Sequence, residues 1–349
     1  MTGNNTVRVG ISGLGSFSIV IANTIQRSKK VELVTCFDVD PERRKAIRER
    51  YGCAEEKSFE DMVKRVDLDG VLLITPNAIH REQTELAASY GKHVFVEKPI
   101  ANTLEDGRRM IEACRKAGLK LLVGHVQRRH AANRKVKQLI EDGAIGKVIM
   151  VEANLSSGQG WDLTRSEFRW RGDDSGCPGG ALMTIGSHQA DTLNYIFGPI
   201  KNVFAFFNKL YIPAPVEDVT TTIFQCESGV LGYLGCNFAS PRTNWMRVYG
   251  TEANLLRTVT RVDRRFDAER KQGPDQSTRL ELFEKGSTEP KEIPLTIGDP
   301  LLEEIEEFAD CILTGRKPET DGPSSLKALA LIRAAIESAR TGKPCDIEI

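Results

Sequence analysis

The feature that most constrains the fold is the order of a strand, a glycine turn and a helix at the start of the chain. Residues 6–12 have the apolar character of a buried strand, and Gly13-Leu14-Gly15 follows them directly. Residues 19–26 then have the apolar spacing of a helix. This order is typical of folds that bind a dinucleotide, because Gly13 allows a tight turn and Gly15 lets the backbone approach a pyrophosphate at the helix N-terminus.

The turn itself extends the set of predicted cofactor contacts. Ser16 and Phe17 belong to this set together with the two glycines. Ser18 takes the position of the third glycine of the fingerprint, and its small side chain still allows the helix to pack closely on the strand.

An acidic residue closes the next strand. Residues 31–37 read as the second strand, and Asp38 follows about 25 residues after Gly13. A carboxylate near this spacing accepts hydrogen bonds from an adenosine ribose and repels a 2′-phosphate, which favours NAD over NADP. Arg43 and Arg44 keep NADP open, since an arginine there can accommodate the phosphate, but they are equally explained as solvated helix charges.

Polar residues also follow a later strand, at residues 68–74. Thr75, Pro76, Asn77 and His80 lie at its carboxyl end, where ligands bind in open α/β sheets. We therefore predict that these residues contact the cofactor. A helix cap for Asn77 and a packed histidine for His80 are the alternatives.

The strand predicted at Val94-Phe95-Val96 ends in Glu97-Lys98-Pro99. A lysine at a buried strand tip is desolvated, which lowers its pKa and concentrates its field on a developing alkoxide. An ion pair with Glu97 is the alternative, although adjacent strand residues point to opposite faces.

Three motifs together resemble the Gfo/Idh/MocA oxidoreductases, which act mostly on sugars and cyclitols. They are the glycine turn at Gly13, Thr-Pro-Asn-x-x-His at 75–80 and Glu-Lys-Pro at 97–99, and the resemblance covers nearly the whole chain. It implies that Lys98 lies beside the nicotinamide and hydrogen-bonds the reacting oxygen. It also implies that Glu97 lies near the nicotinamide ribose.

A second group of motifs adds substrate contacts. His125 and Arg128 resemble the family's G-H-x-x-R-F-x-P turn, with Arg129 and Ala131 in place of phenylalanine and proline. They are predicted to frame the substrate or the nicotinamide, with a water-facing helix entry as the alternative. Trp161 and Arg171 would suit a polyol through stacking and guanidinium donors, with a core tryptophan as the alternative.

Residues 179–193 predict an amphipathic helix that opens with Gly-Gly. Thr184, His188 and Asp191 fall at i, i+4 and i+7 and so share one face. The stretch resembles the family's G-G-x-x-x-D-x-G-x-H-x-x-D helix, which implies that His188 is the general base. Thr184 replaces the first aspartate, and its hydroxyl can bind a substrate hydroxyl but cannot assist the histidine as a carboxylate does.

The character of the sequence changes near residue 130, where longer alternating strands begin. We predict an α/β protein with an N-terminal Rossmann dinucleotide-binding domain, 1–130. A C-terminal α+β domain, 131–349, would bind substrate and carry a large, open, mostly antiparallel sheet, and the C-terminal helices can pack back on the first domain. The predicted strands of the sheet include 147–155, 201–207, 219–226, 230–238 and 245–249.

The open sheet also predicts self-association. Helices on one face leave the other face apolar, and exposed apolar area usually marks an interface. A homodimer or homotetramer through this sheet is also what the family resemblance implies. The residues predicted to supply the interface are Phe204, Phe206, Thr222, Phe224, Tyr233 and Phe238.

Charge and composition exclude several function classes. Basic and acidic residues number 48 each, so net charge favours neither a nucleic acid nor an anionic membrane. Eight cysteines are scattered without a C-x-x-C pair, which argues against a zinc site or a disulfide framework. No apolar run approaches the roughly 20 residues that cross a bilayer, and residues 1–6 are too short and polar for a signal peptide. We expect a cytoplasmic protein that binds a small molecule and no metal.

These patterns predict an NAD-linked oxidoreductase that transfers hydride between nicotinamide and a secondary carbinol of a sugar, sugar acid or cyclitol. In oxidation, His188 would take the hydroxyl proton while Lys98 stabilises the forming alkoxide. Two other functions of this fold stay open: a glycoside hydrolase that uses bound NAD transiently, and a non-catalytic sugar sensor or repressor.

Overall fold

The computed structural model describes residues 6–163, 170–173, 176–260 and 278–349. The chain forms two compact units. The first comprises Met1–Val126 with Pro300–Leu329, and the second comprises Gln127–Asp299 with Ala330–Ile349.

The strands and helices of the described residues are named in chain order. The strands are β1 (Val7–Ser12), β2 (Val31–Phe37), β3 (Ala54–Glu55), β4 (Gly70–Leu73), β5 (His93–Val96), β6 (Leu121–Val123), β7 (Val148–Ser156), β8 (Ile200–Asn208), β9 (Val219–Cys226), β10 (Leu231–Asn237), β11 (Thr243–Gly250), β12 (Ala253–Val259), β13 (Thr278–Glu284), β14 (Lys291–Glu292) and β15 (Cys345–Asp346). The α-helices are α1 (Ser16–Ile25), α2 (Pro41–Tyr51), α3 (Phe59–Lys64), α4 (His80–Ser89), α5 (Leu104–Lys116), α6 (Ala131–Glu141), α7 (Ser187–Phe197), α8 (Pro300–Thr314) and α9 (Gly322–Thr341).

The first unit contains a six-stranded parallel sheet in the order β3-β2-β1-β4-β5-β6. This confirms the predicted Rossmann-type sheet. The strand order reverses between β1 and β4, and ligands bind at such a point, outside the carboxyl ends of the strands. The sheet therefore places the glycine turn after β1 where a dinucleotide is expected.

The core of the first unit includes a helix from the end of the chain. Val9 and Ile11 of β1 and Phe95 of β5 are fully buried. The Phe95 ring meets the Phe308 ring of α8 edge to face, with centroids 6.0 Å apart. Helix α8 thus packs against this sheet, which explains why its strands are continuous apolar runs.

The second unit contains a nine-stranded sheet in the order β14-β13-β12-β11-β7-β10-β9-β8-β15. Its neighbouring strands are antiparallel except for the parallel pair β7 and β10. The predicted mostly antiparallel sheet is confirmed, including the β9–β10 hairpin with Gly229 at φ +90°. Strands β12 and β13 were not predicted.

The prediction for the open face of this sheet was wrong for half of its residues. Thr222, Phe224 and Phe238 are buried, because strand alternation points Thr222 and Phe224 to the covered face and Phe238 lies past the end of β10. Phe204 instead pairs in register with Ile223, and Ile223 pairs with Tyr233. The exposed aromatic and aliphatic side chains at this end of the sheet include Phe206, Ile223 and Leu231.

Candidate functional site

The glycine turn after β1 has the geometry that a bound pyrophosphate requires. Gly13 has φ +88°, and a Cβ there would lie 2.6 Å from the Ile74 carbonyl oxygen, so only glycine fits. A Cβ on Gly15 would meet nothing within 4 Å, which leaves open space before α1. No side chain caps α1, whose first residues are Ser16 and Phe17, so its first N–H groups can bind an anion.

Asp38 is fixed beside this turn. Its Oδ2 accepts a hydrogen bond from Leu14 N (2.6 Å), and its Oδ1 accepts one from Asp40 N (2.9 Å). The carboxylate thereby joins the end of β2 to the glycine turn. Arg43 Nη1 lies 4.0 Å from Asp38 Oδ2, and Arg44 Nη1 donates to the Asp38 carbonyl (2.7 Å). Both arginines therefore face this strand end, with Arg43 at the carboxylate itself.

A chain of hydrogen bonds joins the carboxyl ends of β4 and β1. Thr75 Oγ1 donates to Gln83 Oε1 (2.7 Å), and Gln83 Nε2 donates to Ser12 Oγ (3.0 Å). The next residues, Pro76 and Asn77, lead into a 3-10 turn in which Asn77 is buried. These hydrogen bonds hold in place the segment after β4, where the predicted cofactor residues lie.

His80 is fully buried, and both of its ring nitrogens face protein carbonyls. Nδ1 lies 3.1 Å from the Ile100 oxygen and Nε2 lies 3.0 Å from the Thr75 oxygen. Burial lowers the pKa of His80, while the carbonyl contacts of the ring act in the opposite direction. The ring ties the β4 end to the segment after Pro99, as the packed-histidine alternative describes.

Glu97 and Lys98 follow β5 directly and are partly buried. Glu97 N donates to the Leu73 carbonyl (2.9 Å), and Glu97 Oε2 accepts from Lys98 N (3.1 Å). A Cβ on Gly124 would lie 2.8 Å from Glu97 Oε1, so glycine at the end of β6 leaves room for the carboxylate. The Lys98–Pro99 peptide is cis. Lys98 therefore lies at the carboxyl edge of the parallel sheet, the same edge that carries the glycine turn.

In the second unit, Arg128 and Asp191 bind each other. Arg128 Nε donates to Asp191 Oδ2 (2.8 Å) and Arg128 Nη2 donates to Asp191 Oδ1 (2.5 Å). The two side chains are 6% and 0% exposed, and the Arg128 guanidinium also lies 5.5 Å from the Tyr195 ring centroid. This buried, bidentate pair holds α7 against the Val126–Arg129 turn and neutralises the Asp191 charge.

His188 is a half-buried side chain in an otherwise buried segment. Residues 181–190 are all described, and the other nine of them are buried. A π-helical turn, Leu182–Gly186, precedes it, a feature that is frequent at functional sites and that spacing alone does not predict. Thr184 lies in this turn with its Oγ1 3.1 Å from Cys177 Sγ.

A buried polar cluster beneath α7 was not found from the sequence. Arg257 of β12 is 1% exposed and donates to Asn133 Oδ1 (3.1 Å) and Asn244 Oδ1 (2.7 Å). Gln189, next to His188, also donates to Asn244 Oδ1 (3.0 Å). Burial lowers the pKa of Arg257 to about 10. The only sequence signal was an arginine at an inward strand position, which needs the sheet register to be recognised.

Trp161 and Arg171 lie in surface segments of the same unit. Trp161 is 55% exposed in the 3-10 turn Gly158–Asp162, so the core-tryptophan alternative is wrong for this residue. The Arg171 guanidinium lies 5.1 Å from the Trp170 ring centroid. Their contact with substrate stays a prediction.

Across 6–163, 170–173, 176–260 and 278–349, no group of three or more histidine, cysteine, aspartate or glutamate side chains is arranged to hold a metal ion. No helix in these ranges is long and apolar enough to span a membrane.

Two family models match the chain. Residues 7–125 match the oxidoreductase family with an NAD-binding Rossmann fold, and residues 133–256 match the GFO/IDH/MocA C-terminal domain. A 1,5-anhydro-D-fructose reductase of Ensifer adhaerens is 30% identical, over 91% of this chain and 91% of its own length.

Solved structures of oxidoreductases are similar to this chain over nearly its whole length. A protein of Desulfitobacterium hafniense described as an NADPH-dependent oxidoreductase is 34% identical, with a TM-score of 0.91 and 98% of each chain covered. The WlbA dehydrogenase of Bordetella pertussis, in complex with NADH and UDP-GlcNAcA, is 28% identical, with a TM-score of 0.83 and 99% of each chain covered.

Proposed function

Because the chain belongs to the Gfo/Idh/MocA family of oxidoreductases, we propose that it transfers hydride between NAD(P) and a secondary carbinol of a sugar, sugar acid or cyclitol. The observation that carries this proposal is the open, uncapped start of α1 beside Gly15, with Asp38 fixed next to it. A dinucleotide needs an anion site and a ribose acceptor in this order. The 1,5-anhydro-D-fructose reductase of Ensifer adhaerens supports a sugar as the substrate class.

The residues of the first unit would hold the cofactor in distinct ways. The Gly13 turn would present the N–H groups of Gly15, Ser16 and Phe17 to the pyrophosphate, because Gly13 N already donates to the Phe37 carbonyl and Leu14 N to Asp38. Asp38 would accept from the adenosine ribose. Glu97 and the Thr75–His80 turn would border the nicotinamide half. When bound, the nicotinamide supplies the hydride acceptor or donor.

NAD is the favoured cofactor within this proposal. The Asp38 carboxylate would repel a 2′-phosphate, and two backbone N–H groups keep it in place. Arg43 favours the opposite choice, because its guanidinium lies beside Asp38. Relatives fall on both sides, since one holds NADH and one is described as NADPH-dependent.

Lys98 and His188 would carry out the proton and charge steps. In oxidation, His188 would take the proton of the substrate hydroxyl, and the Lys98 ammonium would stabilise the alkoxide that forms. His188 suits this role because it is the partly exposed residue of residues 181–190, on a helix that the Arg128–Asp191 pair holds in place. Thr184, Trp161 and Arg171 would bind the remaining hydroxyls and the sugar face.

The test is a turnover assay with a panel of carbinols. Purified protein is incubated with NAD⁺ or NADP⁺ and aldoses, sugar acids and cyclitols, and separately with NAD(P)H and 1,5-anhydro-D-fructose. Reduced nicotinamide is followed by absorbance while aryl glycosides report cleavage. We expect net change in nicotinamide without glycoside cleavage. Cleavage with no net nicotinamide change would contradict the proposal and favour the hydrolase.

We also propose self-association, as a homodimer or homotetramer, through the open sheet face. Phe206, Ile223 and Leu231 are each more than half exposed there, and Phe204 and Tyr233 adjoin them in register. Exposed apolar patches of this kind mark interfaces. Light scattering should give a multiple of the 38.7 kDa chain mass, and Phe206→Glu should lower it, whereas Lys201→Glu on the same strand should not. An unchanged mass for Phe206→Glu would contradict this interface.

A further inference from the structure

The loop between β8 and β9, residues 209–217, contacts three segments that were predicted to bind substrate. The first contact is with the Trp161 turn. A Cβ on Gly160 would lie 2.7 Å from Ile212 Cγ1, so the turn and the loop touch with no room for a side chain between them. Trp161 is the next residue after this contact.

The other two contacts lie further along the same loop. A Cβ on Gly172 would lie 3.4 Å from Ala214 Cβ, and Gly172 follows Arg171 directly. The Glu217 carbonyl then accepts from Ala181 N (3.1 Å), at the start of the helical segment that carries Thr184 and His188. One loop therefore borders the three segments that carry Trp161, Arg171 and Thr184.

A single buried carboxylate sets the path of this loop. Asp218 is 1% exposed, and its oxygens accept from Leu210 N (3.0 Å), Tyr211 N (2.6 Å) and Ile212 N (2.7 Å). Asp218 N also donates to the Asn208 carbonyl (3.1 Å), which closes the base of the loop. Charge-assisted bonds of this kind are stronger than neutral ones. The loop would lose three backbone partners together if this carboxylate were removed.

We infer that Asp218 is a positioning residue for sugar binding, because its carboxylate holds the β8–β9 loop against the segments of Trp161, Arg171 and Thr184. The inference rests on the proposed function, since it concerns the sugar site of that enzyme. Asp218 acts through the loop and touches no substrate. Helix α7 has its own support in the Arg128–Asp191 pair, so loss of Asp218 should weaken sugar binding more than the chemical step.

The test compares wild type with Asp218→Asn in two measurements. Sugar affinity is measured by titrating D-xylose, D-glucose and myo-inositol into the NADH-bound protein and following tryptophan fluorescence. Steady-state kinetics then separates KM from kcat for whichever sugar turns over. We expect the sugar Kd and KM to rise by about tenfold, with kcat lowered less than about threefold and the NADH Kd within about twofold.

Ser338→Ala is the matched control for a merely structural role. Ser338 is also buried in the second unit, and its Oγ accepts from Ala205 N of β8 (3.0 Å) and donates to the Lys343 carbonyl (2.7 Å). The Ser338→Ala substitution should lower the midpoint temperature of thermal unfolding without changing the sugar Kd. An Asp218→Asn protein with a lowered midpoint and an unchanged sugar Kd would overturn the inference.

A second variant covers the case in which Asp218→Asn does not fold. Gly160→Ala would place its Cβ 2.6 Å from Phe238 Cβ and 2.7 Å from Ile212 Cγ1, which must push the loop from the Trp161 turn. The sugar Kd should again rise, and an unchanged Kd would overturn the inference. Absence of turnover with intact sugar binding would contradict the proposed function alone, whereas a wild type that binds no sugar overturns both.

Discussion

The two units hold their functional residues in different ways. In the first unit, Asp38 bonds to Leu14 across 24 residues and Gln83 bonds to Ser12 across 71, because parallel strands of one sheet end at the same edge. In the second unit, Arg128 bonds to Asp191 across 63 residues and Arg257 bonds to Asn133 across 124. The motifs of the first unit are local strand, turn and helix signals, and the parallel sheet brings them to one edge. Helix α7 of the second unit depends on buried polar contacts that only the folded chain brings together.

The largest effects should come from the two residues assigned to the chemistry, one in each unit. Lys98→Ala and His188→Gln should each lower kcat by about 100- to 10,000-fold, because each removes a positioned acid-base or electrostatic group. Fluorescence titration should show NADH binding within about twofold of wild type for His188→Gln. Turnover near the wild-type value in either variant would show that the residue has no part in the mechanism. Lys201→Ala, at an exposed site on β8, is the control and should leave kcat unchanged.

The long-range support of the second unit should appear as stability. Arg128→Met or Asp191→Leu alone leaves a buried charge without its partner and should lower the free energy of unfolding by about 3–5 kcal/mol. The double variant removes both charges and should recover much of this loss in urea unfolding. Equal losses that simply add in the double variant would show that the pair is not coupled.

The acid at the end of β2 in the first unit, Asp38, should control the choice of cofactor. Asp38→Asn removes the charge that repels a 2′-phosphate and should lower the ratio of kcat/KM for NAD⁺ to that for NADP⁺ by about tenfold. Arg43→Ala should move the same ratio upwards, because it removes the nearby cation. A wild type that prefers NADP⁺, or a ratio unchanged in Asp38→Asn, would contradict the assignment of NAD.

The stability of the β8–β9 loop should depend on pH through Asp218. Burial raises the pKa of Asp218, but three backbone N–H donors outweigh it and hold the pKa below its ordinary value. The carboxylate therefore contributes stability above the unfolded pKa of about 4, and this contribution is lost as pH falls through the lower folded pKa.

Urea unfolding of wild type and Asp218→Asn measures this contribution directly. The difference in the free energy of unfolding should be about 1.5–3 kcal/mol at pH 7 and should shrink below about pH 4. A difference that stays constant down to pH 3 would mean that the N–H bonds to the carboxylate are not its source.

The parts of the molecule that were predicted correctly are those with local sequence signals. Residues 31–37 and 219–226 were predicted with the bounds that β2 and β9 have, because apolar patterning and flanking turns are local signals. The motif at Gly13 likewise located a turn that only glycine fits.

Other features could not be predicted, because they depend on the register of the sheet or on contacts between distant segments. Phe224 was assigned to the wrong face because alternation gives two faces but not which one helices cover. From the sequence, Asp218 is only the residue before a predicted strand. Its role could not be predicted because its three N–H donors lie in a loop that has no motif. The buried Arg257 lies on β12, a strand that was not predicted, and its partners Asn133 and Asn244 belong to α6 and β11.

The proposed reaction moves a hydride between the substrate carbinol carbon and the nicotinamide. The most direct measurement uses a substrate from the panel that carries deuterium on its reacting carbinol carbon. Mass spectrometry of the released cofactor should show one deuterium in the reduced nicotinamide, and His188→Gln should lose this transfer along with turnover. Product formed without deuterium in free nicotinamide would contradict the account.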